Sequence, residues 1–239
     1  GYDSAEMVEG AEAEVDAQAQ AGVVTREGQI NYLLEYFQDD ANHYNVRAHA
    51  PTAVCRLLEG TGNEDAKEAA AQIFLKTLKG KDKKVVIQSC VLALGQLGDA
   101  DPDGIDKEIR KALMSVKDTV TDTQARNFAV IALAQASSRK DSGDPSDAIK
   151  EVSKYFMKEL SRGKVAVRPW TALAIGIFGR ELGVDAPADL IGALKMQLAE
   201  ERTPLVGAYA IGAGILGSAD FTELLLDKLD NINDNDARG

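Results

Sequence analysis

Five short segments of this chain are variants of one another at a nearly constant spacing: AVCRLL at 53–58, ALGQLG at 93–98, ALAQAS at 132–137, AIGIFG at 174–179 and GAGILG at 212–217. Their first residues, the anchors Ala53, Ala93, Ala132, Ala174 and Gly212, stand 40, 39, 42 and 38 residues apart. Two places after each anchor is a small side chain (Cys55, Gly95, Ala134, Gly176, Gly214), and seven places before it is an apolar one (Val46, Val86, Ala125, Val167, Leu205). A period near 40 is the signature of an array in which one unit cannot bury its apolar face alone and the next unit completes the core. The chain is therefore expected to grow by stacking.

The anchor segments are apolar on nearly every side, as in Val85–Leu97 and Leu205–Leu216, so each should be a helix buried between neighbours. Glycine inside a helix costs roughly 1 kcal/mol relative to alanine, and its recurrence there implies a return in close helix approach. Each anchor helix is followed by a turn rich in Gly, Asp, Pro and Ser, such as GDADPDG and GVDAPAD. These turns supply N-cap residues for a second, amphipathic helix ending in leucine. The second helices are expected at Ala66–Leu78, Ile105–Leu113, Ala148–Leu160, Ala188–Leu198 and Thr222–Leu229, with an extra capping helix over Gln29–Phe37. Aromatics are only 5% of the chain, which favours close-packed helices over a β-sandwich.

The net charge of −11 belongs to the flanks. Residues 1–24 hold six acids and no base, residues 25–45 four acids and one base, and residues 230–239 three acids and one base, leaving 46–229 neutral. A neutral body with acidic ends argues against general nucleic-acid affinity, which rests on phosphate neutralisation. Residues 1–24 read as an acidic linker or loosely packed segment, and 25–229 as the helical array. Residues 230–239 read as a tail or the start of another unit, because Asp236-Ala237-Arg238-Gly239 has the form of Thr123-Gln124-Ala125-Arg126. A longer array is the expectation. The longest uncharged run, 203–219, is too short and too glycine-rich to span a bilayer, and the chain as given opens with no signal peptide.

The period, the helix pairs and the motif V-R-x-x-x-x-A-x-A-x-G, seen in Val167-Arg168 through Ala172, Ala174 and Gly176, resemble HEAT repeats. They are most similar to the bacterial HEAT-like repeats first associated with phycobilisome lyases. The resemblance covers about 46–229 and implies an all-α fold: a right-handed α-solenoid of about five HEAT-like helix pairs with an N-terminal capping helix. It also implies an Arg–Asp ladder between repeats. Arg47, Arg126 and Arg168 match the ladder position while Ile87 and Val206 do not, so the ladder should be broken. Pro51 should interrupt or kink the first anchor helix.

Catalytic chemistry finds little support. His43 and His49 have no glutamate spaced to complete a metal pair, and neither is followed by Glu as in the His-Glu pairs of an iron hydroxylase of the family. Cys55 and Cys90 fall in no CxxC cluster and read as small core residues. Asp99-x-Asp101-x-Asp103-Gly104 copies the first half of a calcium loop, but Arg110 stands where the bidentate glutamate belongs and Pro102 stiffens the middle, which favours a capping turn. Trp170, in the column of Phe128, reads as core packing and not as the aromatic wedge of a HEAT-like DNA glycosylase.

A surface feature remains. Two residues before the terminal leucine of the second helices stand Lys76, Lys111 and Lys158, then Met196 and Asp227; six before it stand Lys107 and Lys154 in the second and third repeats. Lys150, Lys154 and Lys158 share one helix face. In HEAT arrays the second helices line the concave surface, so these lysines would form a groove for an acidic segment of a partner protein, or of the chain's own N-terminal region. The expected function is a non-enzymatic protein–protein interaction scaffold needing no cofactor. The alternatives are an accessory role in chromophore or cofactor attachment and, less favoured on charge, nucleic-acid binding. A solvated lysine face without a ligand is the plain structural reading of the same residues.

Overall fold

The computed structural model describes residues 24–102, 104–140, 143–202 and 205–231, and every regular element in them is helical. In chain order these are α1 (Arg26–Gln38), α2 (Tyr44–Arg47), α3 (Ala50–Leu58), α4 (Glu64–Lys79), α5 (Lys84–Leu97) and α6 (Gly104–Thr119). They are followed by α7 (Thr123–Ser138), α8 (Ser146–Arg162), α9 (Arg168–Leu182), α10 (Ala188–Glu200), α11 (Val206–Leu216) and α12 (Thr222–Asn231). The anchors lie on α3, α5, α7, α9 and α11, the A helices; α4, α6, α8, α10 and α12 are the B helices. α1 packs on α3, as a capping helix would.

The boundaries follow local chemistry. Side-chain oxygens of Thr25, Asn63 and Asp122 accept from Gly28, Ala66 and Ala125 backbone N–H groups at 3.0, 3.1 and 2.9 Å, closing the starts of α1, α4 and α7. The first A helix is split at Ala48–His49, and Pro51 sits in the first turn of α3, where its missing N–H costs nothing. Pro169 does the same for α9. α6 runs past Leu113 to Thr119, because Val116, 1% exposed, prolongs its apolar stripe.

Successive A helices pack directly on one another at every junction, from α3 on α5 through α9 on α11. Small residues make this possible. A Cβ built on Gly95 would stand 2.6 Å from the Ala132 Cβ, and one on Gly176 would stand 2.3 Å from the Gly212 carbonyl oxygen. The Cys55 Sγ donates to the Ala93 carbonyl at 3.5 Å. In each case the small residue two after one anchor sits against the next anchor, so the column read from the sequence fixes the stacking register. Among the B helices, only α4 with α6 and α8 with α10 pack closely.

Between the layers, one buried apolar cluster runs from Ile30 to Phe221. Its aromatic pairs are edge-to-face: Phe37 against Phe74 at 5.5 Å and Phe156 against Phe178 at 5.6 Å between centroids. Two expectations fail here. Val46 is 52% exposed because the α2–α3 break turns it out of its column. Trp170 is half-buried on the A layer and outside the core cluster, while Phe128, also half-buried, packs against that cluster.

Candidate functional site

All six lysines expected to mark a binding surface, Lys76, Lys107, Lys111, Lys150, Lys154 and Lys158, are exposed on B helices. None forms an ion pair with a described residue, whereas Lys67, Lys84, Lys117 and Lys140 do. They do not converge on one groove. Lys111, together with Lys79, rims a depression of about 660 Å³ between α4 and α6 whose wall includes Leu75, Leu78 and Val116. Lys76 borders a depression of about 600 Å³ at the α4–α5 turn, with Arg47, Lys81, Asp82 and Lys83. Lys158 borders one of about 180 Å³ at the α8–α9 turn, with Lys117, Arg126, Arg162 and Lys164. The three residues of one sequence column therefore face three separate hollows.

The arginines expected to form a ladder mostly turn inward on their own repeat. The Arg126 Nε donates to the Val120 carbonyl at 2.7 Å and the Arg168 Nε to the Gly163 carbonyl at 2.9 Å, fastening the turns before α7 and α9. Among contacts between described residues, Arg47 alone of the three reaches a neighbouring repeat: it pairs with Asp82 at 2.9 Å and Asp40 at 3.0 Å, donates to the Phe37 carbonyl at 2.7 Å and is 6% exposed. At the next junction glutamine takes the arginine's place, with the Gln88 Nε2 donating to the Asp122 Oδ2 at 2.8 Å. That hydrogen bond, the Ala125 amide and the charges of Lys84 and Arg126 outweigh partial burial and hold the Asp122 carboxyl below its usual range.

The calcium-like turn is filled from within. Asp99, Asp101 and Asp106 are 3%, 6% and 0% exposed. The Lys67 ammonium reaches the Asp99 Oδ2 at 2.7 Å and the Asp106 Oδ2 at 3.4 Å, and the Arg110 Nη1 donates to the Asp99 carbonyl at 2.7 Å. The carboxylates also accept backbone N–H groups: Asp99 from Asp101 at 2.9 Å, Asp106 from Asp99 at 2.7 Å, and Asp101 from Gly143 at 3.0 Å. A side-chain cation thus bridges Asp99 and Asp106. Burial works to lower the Lys67 pKa, but the Asp99 hydrogen bond and the charges of Asp106 and Asp99 prevail and raise it. Asp103 lies outside the described residues.

Cys55 and Cys90 are free and buried. Burial pushes the Cys55 thiol up to about 12 and moves Cys90 in the same direction. The His43 Nδ1 accepts from the Asn45 N–H at 3.3 Å and its ring stacks on Tyr44 at 4.6 Å, so this side chain caps α2. Among the described residues no group of three or more His, Cys, Asp or Glu side chains is arranged to hold a metal ion. No helix of the described residues is long and apolar enough to cross a membrane.

Sequence reasoning passed over Lys67, Lys79 and Arg139. Arg139 donates to the carbonyls of Gln96 at 2.9 Å and of Gly98, closing the end of α5 from one repeat away. Lys67 and Asp106 are 39 residues apart, close to one repeat period, and opposite charges at neighbouring columns of adjacent repeats were the signal that could have revealed them. Set beside known protein families, curated proteins and solved structures, the chain matches none of them.

Proposed function

We propose that this chain is a HEAT-like α-solenoid that acts as a non-enzymatic binding scaffold for an acidic, amphipathic segment of a partner protein. The observation that carries this reading is the hollow between α4 and α6, where Leu75, Leu78 and Val116 offer apolar wall and Lys79, Lys111 and Glu108 stand at the rim. An apolar floor whose edge carries two lysines against one glutamate suits a helix or strand with leucines on one side and mainly carboxylates on the other. Lys107, Lys150, Lys154 and Lys158 continue the same charge over α6 and α8, exposed and without a direct ion pair to a described residue, although Lys150 lies within electrostatic reach of Asp144. Binding to such a preformed surface costs the scaffold little ordering entropy.

The test uses a fluorescent 20-residue peptide alternating Glu-rich and Leu-rich helical faces, with a scrambled peptide of the same composition as control. Anisotropy should show saturable binding to the whole chain that weakens steadily with added salt. Lys79→Glu/Lys111→Glu should reduce affinity at least about tenfold if each lost ion pair is worth roughly 1 kcal/mol in a partly desolvated site. Equal binding by wild type and variant, or by both peptides, would remove the α4–α6 hollow from the proposal.

A further inference from the structure

The contact register along the A helices leaves one position unfilled. At three junctions the small residue two after an anchor meets the next anchor: Cys55 meets Ala93, Gly95 meets Ala132, and Gly176 meets Gly212. Gly214 holds that place on α11, yet a Cβ built there has nothing within 4 Å, and the residue is exposed. Exposed apolar side chains stand on this last pair of helices. Ile211 is 59% exposed on α11, and on α12 Leu226 and Leu229 are 57% and 50% exposed. α11 itself has the sequence VGAYAIGAGIL, with no charged residue. The opposite end of the stack is finished differently, because α1 lies over α3 and turns Arg26, Glu27, Asn31 and Glu35 to solvent.

We propose that this flank of α11 and α12 is a docking face for one more helix pair of the same kind, its A helix seated with a small anchor residue on Gly214. The occupant is specified by the junctions already built. It needs alanine or glycine at the contact, because Gly214 offers room for a helix backbone as Gly176 does for Gly212. It also needs apolar residues on its B helix to cover Leu226 and Leu229. A charged or bulky partner helix would leave the groove at Gly214 empty and strand those side chains against polar groups. This inference stands on the A-helix contacts and is independent of whether the lysine surface binds anything.

The experiment appends a copy of residues 163–202, which contains α9 and α10, after Gly239 of the full chain. Thermal unfolding followed by circular dichroism and hydrogen exchange of residues 206–216 are then compared with the unextended chain. If the flank is a receiving face, Tm should rise by about 4–10 °C and α11 exchange should slow at least about tenfold. Gly214→Leu in the extended chain should abolish both effects. The same substitution in the unextended chain should not lower its helix content or Tm, since the added side chain meets open space and removes a helical glycine. Unchanged Tm and exchange on extension would overturn the proposal. So would sedimentation equilibrium showing the unextended chain as a dimer that Gly214→Leu dissociates, because the flank would then belong to a second copy.

Discussion

Gly176 and Gly192 stand inside two consecutive helices and should respond in opposite directions to the same substitution. A methyl on Gly176 would lie 2.3 Å from the Gly212 carbonyl oxygen, so α9 and α11 must separate, whereas a methyl on Gly192 meets nothing within 4 Å. Forcing a tight contact apart costs about 1–3 kcal/mol, and the gain in helix propensity from Gly to Ala returns about 1 kcal/mol. Gly176→Ala should therefore destabilise the chain by up to about 2 kcal/mol, and Gly192→Ala should stabilise it by about 0.5–1 kcal/mol. Urea unfolding of both variants checks this, and stabilisation by both would show that the A helices have slack at their contacts. The cysteines offer a second residue-level test. With its thiol pushed up to about 12 by burial, Cys55 is a thiolate at pH 8 in only about one molecule in ten thousand. Native protein should leave both thiols unreacted with a disulfide reagent over the minutes in which denatured protein reacts fully; rapid reaction of either would mean that the A layer opens locally.

At the scale of the element, Asp122 shows how one side chain both starts a helix and ties it to its neighbour. It accepts the Ala125 N–H at the start of α7 and the Gln88 amide from α5. Asp122→Ala should cost about 1–2 kcal/mol, a strong cap's worth. Because its carboxyl titrates below the ordinary 3.8, its contribution is complete above that pH and is lost as pH falls through the folded-state value. The stability gap between wild type and Asp122→Ala should thus be constant above about pH 5 and shrink in stronger acid; a gap that widens there would contradict the assignment. The helices themselves were legible in the sequence, since anchors, small residues and B-helix leucines recur in fixed columns. The break at Ala48–His49, which exposes Val46, was legible only as a warning from Pro51. The polar junctions escaped notice for a different reason. Lys67 with Asp106 and Lys117 with Glu159 join residues 39 and 42 apart, about one period, so they are invisible within a helix and appear only when neighbouring repeats are aligned for opposite charge. The candidate lysines were found because they share a column, but a column fixes the helix face and not the hollow beside it, and these open onto three.

Across the whole molecule, stability should vary with position, because each helix pair draws its burial from the pairs beside it. α5, α7 and α9 all have A helices packed on both sides, but α5 and α7 lie further from α12, and their Val86, Val91, Leu94, Ala132 and Leu133 are at most 2% exposed. α12 stands at the other extreme, with no fully buried residue of its own. Its attachment relies on Phe221 at its entry, buried at 0% exposure, on Leu224 and Leu225 half-buried against the core, and on the Lys228 Nζ donating to the Ala199 and Glu201 carbonyls at 2.8 and 2.7 Å. Those two hydrogen bonds end on the backbone at the close of α10, so they hold α12 in place without burying it. Amide exchange should accordingly be fastest in α12, slower in α9 and α10, and slowest in α5 and α7, with the slowest amides reporting global unfolding. Lys228→Met should accelerate exchange in α12 severalfold while leaving α5 unchanged, as expected when energy passes only between neighbours. Equal protection from α5 to α12, or a Lys228 effect that reaches α5, would mean that the units unfold as one cooperative body and that the A stack transmits stability over its whole length.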